Sequence, residues 1–208
     1  MIDLQTLMIF IPIALALNLT PGADMLFCLG QGLKSGPRAG MAASCGISVG
    51  SLIHSALAGL GLAALIAANP LAFEAIRWAG VAYLVWLAIG TLRAPLTTLQ
   101  PADVAEGSAA RAFRTAILVN LTNPKVALFI LALVPQFVDP ARGSVLAQFM
   151  AFGVILSVGG TVINGAVGGF AGKIGRQLAR KAFLARGLQY ATSLVFLGLA
   201  AKLALDRR

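Results

Sequence analysis

The chain has 208 residues, of which 59% are hydrophobic and only 11% charged, with a mean hydropathy of +0.89. That is too apolar for a soluble domain of this size. The net charge of +9 comes mainly from Lys and Arg in short loops between apolar runs, which argues against a nucleic-acid partner and for a basic membrane protein.

Six stretches hold about 20 or more mostly apolar residues, the length that crosses a bilayer. They are 4–33, 40–68, 71–92, 112–138, 144–171 and 183–205. Together they use most of the chain and leave no room for a soluble domain. The predicted fold class is an all-α membrane protein with six transmembrane helices, bathed in the lipid bilayer. Residues 1–6 carry Asp3 and no Lys or Arg, a poor start for a signal peptide, so the first segment is expected to be retained.

The first segment is interrupted by Asn18-Leu19-Thr20-Pro21-Gly22, followed by Asp24. Proline removes a backbone donor and clashes with the preceding turn, so the helix breaks or kinks there. Asp24 is the one carboxylate well inside a segment. A charge at the bilayer centre costs about 2.5–3.5 kcal/mol on insertion scales, so it needs a reason. It suits a proton carrier or a partner for an ammonium group; a structural ion pair with Lys125 is the plainer alternative. Cys28 and Cys45 have no metal spacing and no CxxC, and read as small packing residues.

The second segment holds the only histidine, His54, which either relays protons or is satisfied by a hydrogen bond. Gly46 and Gly50 here, and Gly165 and Gly169 in the fifth segment, form pairs of small residues that allow close helix packing and are compatible with a homodimer. Trp78 and Trp86 in the third segment read as interface anchors or core.

Residues 94–110 are the one polar, turn-rich stretch, with Pro95, Pro101, Asp103, Glu106 and Gly107. They are expected to be a cytoplasmic linker between two halves, 1–93 and 111–208. The fourth segment then repeats the opening motif about a hundred residues later as Asn120-Leu121-Thr122-Asn123-Pro124-Lys125. Gly80-Val81-Ala82-Tyr83 with Gly90 in the third segment resembles Gly187-Leu188-Gln189-Tyr190 with Gly198 in the sixth. Three segments per half place the halves in opposite orientation, which predicts two inverted three-helix repeats with broken first and fourth helices.

Lys and Arg alternate by loop. Lys34 and Arg38, then Arg93, Arg111 and Arg114, then Lys173, Arg176, Arg180, Lys181 and Arg186 fall on one side. Arg77 and Arg142 fall on the other. The positive-inside rule puts the first group in the cytoplasm and both termini outside, against the pull of Lys202, Arg207 and Arg208. Both breaks lie about a dozen residues from helix ends on the same side, roughly 15–18 Å deep at 1.5 Å per residue. They therefore share one level near mid-bilayer, where interrupted segments in two halves mark a transporter's binding site.

At that level Asn18, Asn120 and Asn123 offer donors and acceptors to a zwitterion or to freed backbone groups. Thr20, Pro21 and Gly22 begin a new half-helix whose N-terminus favours an anionic group. Lys125, directly after Pro124, binds a carboxylate, exchanges partners with Asp24, or lays its stem along the helix. Asn164 and Gln148 in the fifth segment line a cavity or bond across helices. With no HExxH, no GxSxG and a single His, an enzyme is not expected. No cofactor and no metal are expected. A passive channel, or an exporter of another small solute or cation, remains the alternative function.

The two motifs resemble the signatures of the LysE/RhtB family of amino-acid exporters. One is Asn18 to Met25 with Gly32, Gly36 and Gly40 after it; the other is Asn120 to Ala127 with Pro135-Gln136-Phe137 after it. The resemblance covers essentially the whole chain. It implies a bacterial inner-membrane exporter of amino acids or derivatives, coupled to protons, with no enzyme activity. The family's motif positions fall on Pro21, Gly22, Asp24, Asn120, Asn123, Pro124 and Lys125. Many members carry a second proline where this chain has Ala23, which is expected to soften the first break. The apolar surroundings favour the neutral branch of homoserine, threonine or leucine type.

Overall fold

A run of apolar residues becomes helical wherever every backbone N–H can reach a carbonyl four residues back, because lipid and packed protein offer no other partner. The computed structural model describes residues 2–68, 72–93, 102–171 and 182–205, and they contain no strand. The helices are α1 (Leu4–Leu19), α2 (Ala23–Lys34), α3 (Pro37–Ala68), α4 (Ala72–Arg93), α5 (Ala109–Leu121), α6 (Pro124–Leu133), α7 (Val145–Gly169) and α8 (Ala182–Leu205). Lys173, Arg176, Arg180 and Lys181 of the basic fifth loop, Pro95 and Pro101 of the linker, and Arg207 and Arg208 lie outside the described residues.

α3 and α7 are each long and apolar enough to cross a membrane. The pair α1 and α2, bent by 53°, and the pair α5 and α6 with its continuation to Phe137, bent by 54°, are each long and apolar enough together, as a broken span or a re-entrant loop. The apolar stretches of α4 and α8, Trp78–Arg93 and Gln189–Leu205, are shorter than a full crossing. The two bends are equal within a degree. Proline alone is not what breaks α1: the helix runs through Pro12 and ends only where Thr20 turns extended and Pro21-Gly22 follow.

The main core joins α1, α4, α6, α7 and α8 around Phe10, Phe129, Phe149, Phe152 and Phe196, all fully buried. α3 packs along α7 and α5 through small residues. Gly40 and Gly168 meet backbone to backbone; a Cβ on Gly40 would lie 2.5 Å from the Gly168 carbonyl oxygen. Ser48 and Thr161 share a hydrogen bond of 2.5 Å, and Ser44 donates to the Thr161 carbonyl at 2.9 Å. Hydroxyls and glycines thus let α3 and α7 approach closely where larger side chains would hold them apart.

The linker is not a free spacer. Its described end packs on α2: Ala102 N–H donates to the Leu26 carbonyl at 3.2 Å, and Val104 is buried in a second core with Phe27 and Cys28. The Lys34 ammonium donates to Asp103 and to the Val104 carbonyl, each at 2.7 Å, and holds the Asp103 carboxyl below its ordinary range. Ser108 then caps α5.

At the start of α1, Asp3 caps the helix by accepting from the Thr6 N–H at 2.7 Å, and Arg142 pairs with its other oxygen. Arg142 also binds Asp139 at 3.0 Å.

The glycine seam predicts that Gly168→Val costs about 1–3 kcal/mol through overpacking. The thermal unfolding midpoint of purified protein should fall by several degrees. Gly198→Ala, with nothing within 4 Å of its Cβ, should leave the midpoint unchanged or slightly raised. The Asp3 cap predicts a pH effect. Hydrogen bonds from Thr6, then Arg142, lower its carboxyl from 3.8 to about 2. Its contribution is complete above the unfolded value and is lost as pH falls through the folded one. The midpoint of wild type should therefore include a drop between those two values that Asp3→Ala lacks.

Candidate functional site

A proline in a helix removes the N–H that the carbonyl four residues earlier would have used. Pro21 takes this donor from Leu17, which is left with the Thr20 N–H at 3.2 Å, and Pro124 takes it from Asn120. The Lys125 ammonium donates to the Leu17 carbonyl at 2.9 Å and to the Thr20 carbonyl at 2.6 Å. At the second break, the Asn120 carbonyl accepts from the Asn123 N–H at 3.0 Å and lies 3.2 Å from His54 Nε2. A carbonyl only accepts, so Nε2 carries the proton. Each break is thus answered by an ionisable side chain from a distant helix.

The threonines of the two breaks behave alike. Thr20 and Thr122 each turn a hydroxyl back to the carbonyl four residues earlier, on Ala16 at 2.7 Å and on Leu118 at 2.9 Å. The restarts differ. Gly22 begins α2 with extended backbone and no side-chain cap, whereas the Asn123 carboxamide accepts the Lys125 N–H at 3.0 Å and caps α6. Asp24 and Lys125 both stand second in their half-helices.

They do not form an ion pair with each other. Asp24 Oδ2 accepts from Asn120 Nδ2 at 2.8 Å, while Oδ1 is buried with no partner. Asn120 is fully buried, and the room for it comes from Gly50, where a Cβ would lie 2.6 Å from its Oδ1. Asp24, Lys125, Asn18, Thr20, Gly22 and Asn123 line one small cavity of about 20 Å³, together with Asn164 from α7. That is room for about one water-sized group. A larger cavity of about 200 Å³ adjoins it, sharing Thr20 and Lys125 and walled by Pro21, Trp86, Leu87 and Thr91.

The family described as LysE type translocator matches residues 15–207. The chain belongs to that family. It is 40% identical over 154 residues to an uncharacterized membrane protein of Vibrio cholerae, 73% of this chain and 74% of that one. It is 41% identical over 142 residues to the homoserine/homoserine lactone efflux protein of Salmonella typhimurium, 66% of each chain. An uncharacterized membrane protein of Pseudomonas aeruginosa is 30% identical over 191 residues, 89% of this chain and 88% of that one. No solved structure matches the chain. The family and its efflux relatives are transporters, so the chain is a membrane translocator rather than an enzyme.

The translocator's motif residues therefore divide by position. Asn18, Thr20, Gly22, Asp24, Asn123 and Lys125 meet at the small cavity. Asn18 also ties α1 to α7 by donating to the Leu156 carbonyl at 3.1 Å. Pro21 faces the larger cavity. Asn120 and His54 stand behind Asp24 and do not line either, and Pro124 is exposed at the start of α6. Gln148 lies far from the breaks; it clamps the Asp139 backbone, accepting from its N–H at 3.0 Å and donating to its carbonyl at 2.8 Å. Trp78 and Trp86 are exposed on the helix surface rather than in the core.

Two contributors lay outside the motifs. Gly50 was legible only as a small residue, and its service to Asn120 depends on how α3 meets α5. Tyr83 donates from its hydroxyl to the Lys125 carbonyl at 2.7 Å, and its one signal was its place in the Gly-x-x-Tyr repeat.

Lys125→Met leaves the Thr20 carbonyl without its donor, while the Leu17 carbonyl keeps the Thr20 N–H at 3.2 Å. The expected cost is about 1–3 kcal/mol for that one acceptor left buried and unpaired. The unfolding midpoint of purified protein without any solute should fall accordingly, and a midpoint equal to wild type would contradict the capping role.

Proposed function

We propose that this translocator is a secondary active exporter of neutral amino acids or their derivatives, driven by proton antiport across the bacterial inner membrane. The observation that carries the reading is Asp24 with one oxygen held by Asn120 and the other without a partner, beside Lys125, where two helices break inside apolar segments. An intramembrane carboxylate so placed suits the binding of a proton or an ammonium group in turn. Lys125 and the start of α2 suit a carboxylate or a lactone carbonyl.

In this reading the chain is two inverted three-helix repeats, 1–93 and 111–208, that rock against each other about the breaks. The small cavity holds a water-sized group only, so the helices must part to admit a substrate. The adjoining cavity of about 200 Å³ exceeds the roughly 150 Å³ that suffices for benzene in an apolar interior. Its Trp86 and Leu87 wall suits a short uncharged side chain. The relative named for homoserine and homoserine lactone supports this class, since both compounds are small and carry an amino group on an uncharged body.

Exchange of one external proton for one neutral zwitterion moves one charge inward, worth about 2.3 kcal/mol per 100 mV. At ~150 mV that is about 3.5 kcal/mol, enough for a several-hundred-fold export gradient.

Proteoliposomes loaded with labelled homoserine test the reading. Wild type is expected to release it faster when a pH gradient is imposed, and Asp24→Asn is expected to lose that response. An Asp24→Asn protein that keeps full gradient-driven export would remove Asp24 from the proton path.

A further inference from the structure

Asn164 stands in the C-terminal half of α7, 4% exposed, and its Oδ1 has no hydrogen-bond partner. Asp24 Oδ1 is in the same condition. Both residues line the cavity of about 20 Å³. Buried acceptors are nearly always paired, and two left unpaired at one small cavity ask for a shared donor.

Three of the side-chain donors around the cavity are directed elsewhere, while the Asn123 carboxamide lies beside Asp24. Asn18 Nδ2 points to the Leu156 carbonyl, Asn120 Nδ2 to the other oxygen of Asp24, and the Lys125 ammonium to Leu17 and Thr20. The two groups buried there without a partner are a carboxylate oxygen and an amide oxygen beside a water-sized space. Two unpaired acceptors, one of them a carboxylate, call for a donor at this point rather than an anion. An acyl group removes the nitrogen's charge, and three methyl groups remove its N–H donors. A primary ammonium, compact and with three donors, meets both conditions.

We propose that Asn164 is a substrate-anchoring residue that, with Asp24, holds the primary ammonium group of the transported compound and so sets the requirement for a free amino group. The proposal rests on the export reading for its substrate class. It adds a ligand from α7, outside both repeated motifs. It also explains how one site takes an amino acid and its lactone, which share the ammonium but not the carboxylate.

Binding to purified protein, read from the shift in unfolding midpoint with ligand concentration, tests it. The probes are homoserine lactone, N-acetylhomoserine lactone and sodium chloride. Wild type should bind the free amine and not the acetylated form. Asn164→Leu should weaken binding of homoserine lactone by about tenfold or more, the loss expected for one charge-assisted hydrogen bond. Where Asn164→Leu does not fold, Asn164→Ser carries the same test, since its shorter hydroxyl draws back from the cavity and should weaken binding severalfold.

Unchanged affinity in the folded variant, or equal binding of both lactones by wild type, overturns the proposal. So does a shift produced by sodium chloride alone and lost in the variant, which would make the site one for an inorganic cation. Homoserine efflux measured on the same preparations separates the two readings. Gradient-driven efflux with unchanged affinity in the variant sinks the role of Asn164 alone. Lactone binding lost in the variant without any wild-type efflux sinks export and supports the ammonium site. A wild type that binds no free amine overturns the proposal outright.

Discussion

Two prolines in an apolar medium set the terms for the centre of this protein. Each deletes one backbone donor, and the carbonyl four residues earlier keeps only a bond from the residue before the proline, which no lipid can supplement. A soluble helix would let water fill the gap. Here the donors come from side chains on other helices, Lys125 for Leu17 and Thr20, His54 beside Asn120. Those bonds tie α1 to α6 and α5 to α3. The breaks are therefore the points at which the helices are joined, and not gaps between them.

The half-helix ends carry fields as well as orphaned groups. Asp24, second in α2, lies where a helix start favours a negative charge. Lys125, second in α6, lies where a positive charge is disfavoured, and its stem carries the ammonium away to the carbonyl end of α1, where it is favoured. The two charges are thus held by different helix ends and need not neutralise each other. An Asp24 locked to Lys125 would have both oxygens committed. With one oxygen on Asn120 and one without a partner, it keeps a valence for exchange, which the proposed proton and ammonium cycle requires.

Around this centre the rest of the chain supplies approach and restraint. Small residues bring α3 within reach of both α5 and α7, and Gly50 makes the space in which Asn120 can be fully buried. The described segment before α5 is drawn onto α2 by Val104 and Lys34, so it too is packed. A pair as exposed as Lys34 and Asp103 adds little stability by charge alone; burial of Val104 is the stronger hold.

Much of this was readable in the chain. The apolar class, the helical content, the two break points and the family follow from local chemistry: hydropathy, the missing N–H of proline and the repeated Asn-Leu-Thr. Those signals act within a few residues, so a linear reading detects them. Which distant side chain answers each freed group was not readable. Lys125 stands 108 residues from Leu17, and an ion pair with Asp24, a reach along its own helix or a ligand role were equally consistent with its position. The choice was made by the crossing of α1 and α6. The same holds for Asn164, one amide in an apolar run by sequence, which the packing of α7 against α2 brings to the cavity of Asp24. Sequence determined where the helices break; tertiary packing decided what meets there, because a hydrogen bond reaches about 3 Å and only the folded chain brings such distant groups that close.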